Sequence, residues 1–257
     1  MRKTRLLSVL GTVAMAGAFA LSGAPALAAG SQTSYTCTGG HIPSGSYASI
    51  TVTGTCDVAA GAVIRVAGNL DVAARAALDA QSAPSTISVG HNVTAAAGSF
   101  LGLGCQPPAY TGNSGHMCII EPGSHSTISV SGNLTAVDAD TVLLNGVTVN
   151  RNVTLTGGGG ATPWSIKNNT IGSNLTVSGQ TADWLGVLFN RIGGNATLTN
   201  ITANDPGDPT PLVYVVRNTV GRNLTCTGLV PGVSGGFIPG EVNVVGHNAN
   251  GQCASLV

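Results

Sequence analysis

Asp138 and Asp140 are the carboxylates best placed by spacing to do chemistry together. Residues two apart on a strand share a face, so the pair could act as acid and base on a glycosidic bond or hold a calcium ion. No Lys/Arg-rich segment accompanies them, and the simpler reading is a solvated outer face just after Thr135. Asp205 and Asp208 flank Pro-Gly and could form a small calcium loop, or an ordinary inserted turn. His116, Cys118, Glu121 and His125 have a spacing that zinc could use if Cys118 were a thiolate. A disulfide at Cys118 removes that option, and no metal or cofactor is expected. Trp164, Trp184 and Tyr214 begin corresponding segments and could form a strip that stacks on sugar rings, or could simply cover a coil edge.

These candidates are positioned by a repeat. An aliphatic residue, two small or polar residues, Asn, then an aliphatic or Ala recurs eight times, with its Asn at Asn69, Asn92, Asn133, Asn152, Asn174, Asn195, Asn223 and Asn248. The intervals are 23, 41, 19, 22, 21, 28 and 25, about one solenoid coil each. The interval of 41 predicts a degenerate extra turn around Cys105–Cys118. Thr127-Ile-Ser-Val130 alternates apolar with polar, the signature of a strand. One such coil cannot bury its apolar side alone. Parallel stacking at about 4.8 Å aligns the aliphatics into a continuous interior. The expected fold is all-β, a right-handed parallel β-helix of about nine coils. Glycine before the Asn is read as permitting positive φ at a tight bend, and the Asn side chains as an amide ladder. The ladder could recur at Asn169, Asn190, Asn218 and Asn243.

Thr94, Thr135, Thr154, Thr176, Thr197 and Thr225 share one motif position and should form an outward column, of the kind an ice-binding solenoid presents, though one rank per coil is all that is evident. His91 and His247 occupy equivalent bends in distant coils and cannot meet.

Composition fits this plan. The 257 residues include 37 Gly, only 8% charged residues and 4% aromatics, yet 43% hydrophobic residues, so the core must be Val, Ile, Leu and Ala. A formal charge of zero removes the footprint of a nucleic-acid binder. Arg2, Lys3 and Arg5 precede an uncharged stretch from Leu6 to Leu21 and then Ala26-Leu-Ala28, which reads as a signal peptide over 1–28. The remainder, 29–257, has no second hydrophobic span. It is expected to be one secreted domain, extracellular or wall-associated, with a cap region near 30–62 and an irregular loop near 105–118. Its six cysteines suit three disulfides, and the repeat favours sequential pairs: Cys37 with Cys56, Cys105 with Cys118, Cys226 with Cys253. Cys226 and Cys253 are placed at the same strand parity in adjacent coils.

With its leader, its Gly-Asn-Leu-Thr-like repeats, Leu101-Gly-Leu-Gly-Cys105 and Gly251-Gln-Cys253, the chain resembles the secreted right-handed β-helix proteins of high-GC Gram-positive bacteria. The repeat is also similar to that of the bactofilins, which stack β-helices end to end into filaments. The resemblance implies a structural or surface-binding solenoid that contacts cell-wall or extracellular glycan, or itself, without catalysis. Because no capping helix is evident after Cys253, the last strand edge is expected to be open to stacking. The alternative is a carbohydrate-active β-helix enzyme, a lyase or hydrolase using Asp138 and Asp140. Against it, the Asp-Asp, Gly-His-Gly and Arg-x-Lys motifs of polygalacturonases are absent. Arg151, Arg191, Arg217 and Arg222, possible lyase arginines, read more simply as turn and outer-face residues.

Overall fold

Val66, Val89, Val130, Val149, Ile171, Ile192, Val220 and Val245 stand directly over one another, each paired with the next across parallel strands. β-Branched residues suit this column because they pack well on a pleated surface with restricted χ1. The computed structural model describes residues 32–208, 212–236 and 242–257; the expected signal peptide lies outside them. The architecture is a parallel β-helix.

Each coil has three faces. Face 1 precedes the repeat Asn and comprises nine strands, from Gly45–Tyr47 to Val244–Val245. Face 2 follows the Asn, as in Leu134–Val137, Val153–Thr156 and Leu175–Ser178. Face 3 includes Thr141–Asn145, Trp164–Lys167, Leu185–Leu188 and Val213–Val216. Inward residues merge into one core that runs from Cys37 to Cys253. No helix among the described residues is long and apolar enough to cross a membrane.

Two expectations about the coil count change. Ser85–Val89 pairs directly with Thr127–Val130, and Val93–Ala95 with Leu134–Val137, so the 41-residue interval is a single coil carrying a long excursion. The ninth coil lies instead at the other end, where Gly45–Tyr47 leads into Ile50 and Ser49 replaces the Asn. The described part of the expected cap region, 32–62, includes rungs, Tyr35–Ile42 lying parallel to Ile50–Val58.

The motif glycines act by size and not by φ. Gly90, Gly172, Gly193, Gly221 and Gly246 are absent from the left-handed region. A Cβ on any of them would stand 2.2–2.4 Å from a carbonyl oxygen of the preceding coil. Left-handed residues sit at other corners, where Gly157, Gly179, Asn200 and Gly228 turn face 2 into face 3.

Two amide stacks pin the corners. Each repeat Asn from Asn92 onward donates its backbone N–H to the Oδ1 of the Asn one coil earlier, at 2.9–3.2 Å, and its Nδ2 approaches the same oxygen. At the corner between faces 3 and 1 the polarity reverses. Asn169, Asn190 and Asn218 donate to the Oδ1 one coil later, and their Nδ2 groups also reach the carbonyls of Leu144, Ile166 and Val187. Asn243 ends this stack against the carbonyls of Val215 and Leu256.

The three disulfides are Cys37–Cys56, Cys105–Cys118 and Cys226–Cys253. Gly251, not Cys253, lies opposite Cys226. Cys253 belongs to a 3-10 turn, Gln252–Ser255, that folds over the last rung. Gln252 exchanges two hydrogen bonds with the backbone of Leu229, and Leu256 packs on the core. This turn covers part of the edge expected to be open, although Val244 remains 62% exposed.

Candidate functional site

The carboxylate pair resolves into corner geometry. Asp138 has φ of 52° and takes the corner position that Gly157, Gly179 and Gly228 fill in later coils, a conformation Asp tolerates better than most residues. Asp140 follows buried Ala139 and accepts a hydrogen bond from the Thr141 hydroxyl at 3.1 Å. The two therefore flank a bend and do not share a strand. Asp205 closes its own turn, its carboxylate accepting the Gly207 N–H at 2.7 Å. Cys118 is committed to its disulfide and His125 stacks on Tyr110 at 4.0 Å, which dissolves the zinc set. Among the described residues no group of three His, Cys, Asp or Glu is placed to hold a metal. His91 and His247 are exposed at separate bends.

The aromatic strip does not form. Trp164 pairs with Leu185, one residue beyond Trp184, and that one-residue offset sends the two indoles to opposite sides of the face. Trp164 is fully buried and donates its Nε1–H to the Asp140 carbonyl at 2.9 Å. Trp184 lies over Gly186 and stacks on Tyr214 at 5.5 Å, within a small outer cluster that includes Leu188 and Val216. Burial and the nearby Asp208 raise the Tyr214 pKa.

The threonine column is real and has a second rank. Thr154, Thr176, Thr197 and Thr225 are in register, and so, two residues on, are Thr156, Ser178, Thr199 and Thr227.

Sequence reasoning missed a groove formed by the excursion. The excursion leaves at Gly104 and returns at Thr127. It is closed by Cys105–Cys118, by a two-way backbone bridge between Gln106 and His116, and by a short helix, Pro108–Thr111. Instead of projecting into solvent it folds along the corner between faces 3 and 1. Gln106 seats on Gly146, where a Cβ would stand 2.1 Å from its amide carbon. Lys167 donates to the Ser114 hydroxyl and the Gly115 carbonyl at 3.1 and 3.0 Å. Burial lowers the pKa of that amine. His116 is also pushed down, by burial first and by Lys167 second, with Asp79 opposing.

Between excursion and corner runs a groove. Its larger part, about 340 Å³, is lined by Gln106, Tyr110, Thr111, Asn113, Asn168, Asn169, Thr170, Phe189 and Arg191. A second part of about 190 Å³ adds Gly112, Asn190, Arg217 and Thr219. The guanidinium carbon of Arg217 lies 5.7 Å from the Phe189 ring centre. The corner column reads Gly146, Asn168, Phe189, Arg217 in successive coils, all with positive φ. Gly and Asn accept that conformation, whereas Phe and Arg are held there at a cost of about 1–2 kcal/mol each. The signals that could have located the site were the 41-residue interval and the unequal residues at this corner.

Compared with protein-family models, curated proteins and solved structures, the chain matches none.

Proposed function

We propose that the protein is a secreted, non-catalytic β-solenoid that binds an extended glycan in the groove beneath its excursion. The carrying observation is the groove's lining: the rings of Tyr110 and Phe189 beside the amides of Gln106, Asn113 and Asn168. Aromatic faces stack on sugar rings, and amides both donate to and accept from hydroxyls. No carboxylate lines either part, whereas general acid/base cleavage of glycosides ordinarily requires a pair. Rigid coils with a pinned excursion supply a preorganised surface, and the groove's extension along the stack suits a polymer. The leader sequence and three disulfides support export. The test is retention of the protein, without its leader, on a panel of soluble and wall-derived polysaccharides. Phe189→Asn keeps a residue suited to the corner and should weaken binding about tenfold, roughly 1.4 kcal/mol. Undiminished binding by that variant would remove the groove from the account.

A second reading rests on the two threonine ranks. Face 2 presents hydroxyls and methyls at a spacing of about 4.8 Å along the stack and about 6.7 Å along the strand. Among the described residues the hydroxyls of Thr135, Thr154, Thr176, Thr197 and Thr225 have no protein partner. Such a lattice could order water into an ice-like layer. Thermal hysteresis abolished by Thr176→Tyr would support this reading, and its absence from the unaltered protein would end it.

A further inference from the structure

The groove has a sign of charge as well as a shape. Arg191 is exposed on its floor, flanked in register by Thr170 and Thr219, and its guanidinium has no ion pair or hydrogen bond among the described residues. Arg217 extends the same lining toward the next coil. Lys167 stands behind the roof with neutral partners only, a hydroxyl and a carbonyl. None of the residues lining either part is acidic, although the chain carries as many acidic as basic side chains. In a concave, partly desolvated site such one-signed charge raises the local concentration of an oppositely charged partner.

The corner gives a second, independent indication. Gly146 and Asn168 show which residues this bend accepts without strain, yet the next two coils place Phe189 and Arg217 there. Residues held in a disfavoured backbone region are concentrated where their side chains serve a function. Here the strained pair supplies an aromatic face with a cation across it, and both open into the groove.

We infer that the groove takes a carboxylate-bearing polysaccharide, a polyuronate, with Arg191 clamping a sugar carboxylate while Phe189 and Tyr110 meet the rings. This rests on the glycan reading above and adds the charge of the sugar. A planar guanidinium offers two parallel N–H donors that match a carboxylate. A single fork surrounded by neutral amides fits a chain with spaced, single charges. A densely sulfated polymer would call for a cluster of cations.

The experiment is titration calorimetry of the protein without its leader against alginate oligosaccharides in the presence of a chelator, with neutral dextran, dextran sulfate and poly-L-glutamate as parallel probes. Arg191→Gln and Arg191→Lys are compared with the unaltered protein, their folding checked by thermal melts. Alginate should bind more tightly than the other three and weaken with added salt. Arg191→Gln should lose about tenfold or more in affinity, and Arg191→Lys, which keeps the charge but not the fork, should fall between. Equal binding of dextran and alginate with no effect of Arg191→Gln would overturn the anionic assignment and leave the glycan reading standing. Preference for dextran sulfate would overturn the carboxylate. Poly-L-glutamate binding as tightly as alginate would overturn the sugar, and binding of no probe would overturn both proposals.

Discussion

Asn113 and Asn168, 55 residues apart in sequence, hold each other face to face: Nδ2 of Asn113 donates to Oδ1 of Asn168 at 2.7 Å, and Nδ2 of Asn168 donates back to Oδ1 of Asn113 at 3.1 Å. The pair fixes the tip of the excursion to a corner of the solenoid and so sets the width of the groove. Asn168 has φ of 58°, which Gly also adopts freely. Asn168→Gly should therefore keep the corner and remove only the clamp, at about 1 kcal/mol per lost hydrogen bond. Amide hydrogen exchange at Gln106 and His116 is expected to speed up while that of the core strands stays unchanged. Asn168→Ala should add about 1–2 kcal/mol of corner strain and lower the melting temperature further. Equal effects of the two variants would show that the left-handed corner adds no cost beyond the lost clamp.

The close approach of successive coils predicts a sharp difference between two glycines. A Cβ at Gly221 would stand 2.3 Å from the Gly193 carbonyl oxygen, and that backbone atom is held in the stack. At Gly207 the nearest obstacle is the half-buried side chain of Asp205, in its own turn, at 3.2 Å. Gly221→Ala should destabilise by about 1–3 kcal/mol through overpacking, and Gly207→Ala by no more than about 0.5 kcal/mol, as denaturant melts would report.

These glycines show where sequence reasoning stops. The aliphatic column from Val66 to Val245 was legible because a period of two and a recurring Asn constrain both face and rung. Sequential disulfide pairing was legible from the even cysteine count and the order of the cysteines along the repeat, although Cys253 reaches Cys226 from a 3-10 turn and not from the rung opposite it. The glycines were visible but misassigned, since a bend that needs positive φ and a bend that needs a missing Cβ select the same residue. The groove was not legible. Its walls come from Tyr110 and Asn113 on one side and Phe189 and Arg191 on the other, far apart in the chain, and only the folding back of the excursion brings them together. Trp164 and Trp184 failed for a subtler reason, because a register offset of one residue reverses a side chain and no local pattern reports it.

The two amide stacks should differ in their value to the fold. Asn190 is buried, accepts from the N–H and Nδ2 of Asn169, and donates to Asn218 and to the Ile166 carbonyl. Asn190→Ala strands several of these groups away from water, at about 1–3 kcal/mol for each one left unsatisfied. Asn195 sits in the half-buried stack, where solvent can replace what is lost, so Asn195→Ala should cost only about 1 kcal/mol. Urea melts of the two variants decide the point, and equal midpoints would contradict it.

Acid should loosen the excursion before it affects the coils. His116 titrates below its ordinary value of 6.5 because burial, and then Lys167, disfavour its charged form, with Asp79 opposing only in part. Above about pH 7 the imidazole is neutral whether the excursion is docked or open, and it has no effect on docking. As pH falls through 6.5 the open form takes up a proton first. Docking therefore weakens progressively until pH reaches the lower value of the docked form, below which the penalty is constant. Lys167 acts at the other end of the scale. Its lowered pKa means that docking improves as pH rises from that value toward 10.5. The measurement is hydrogen exchange of the Gln106 and His116 amides at about pH 5 and about pH 7.5, corrected for intrinsic rates. Unaltered protein should show greater opening at the lower pH, and His116→Gln should flatten the difference, because a neutral amide removes the titrating group. A pH dependence that survives His116→Gln would assign the effect to another group.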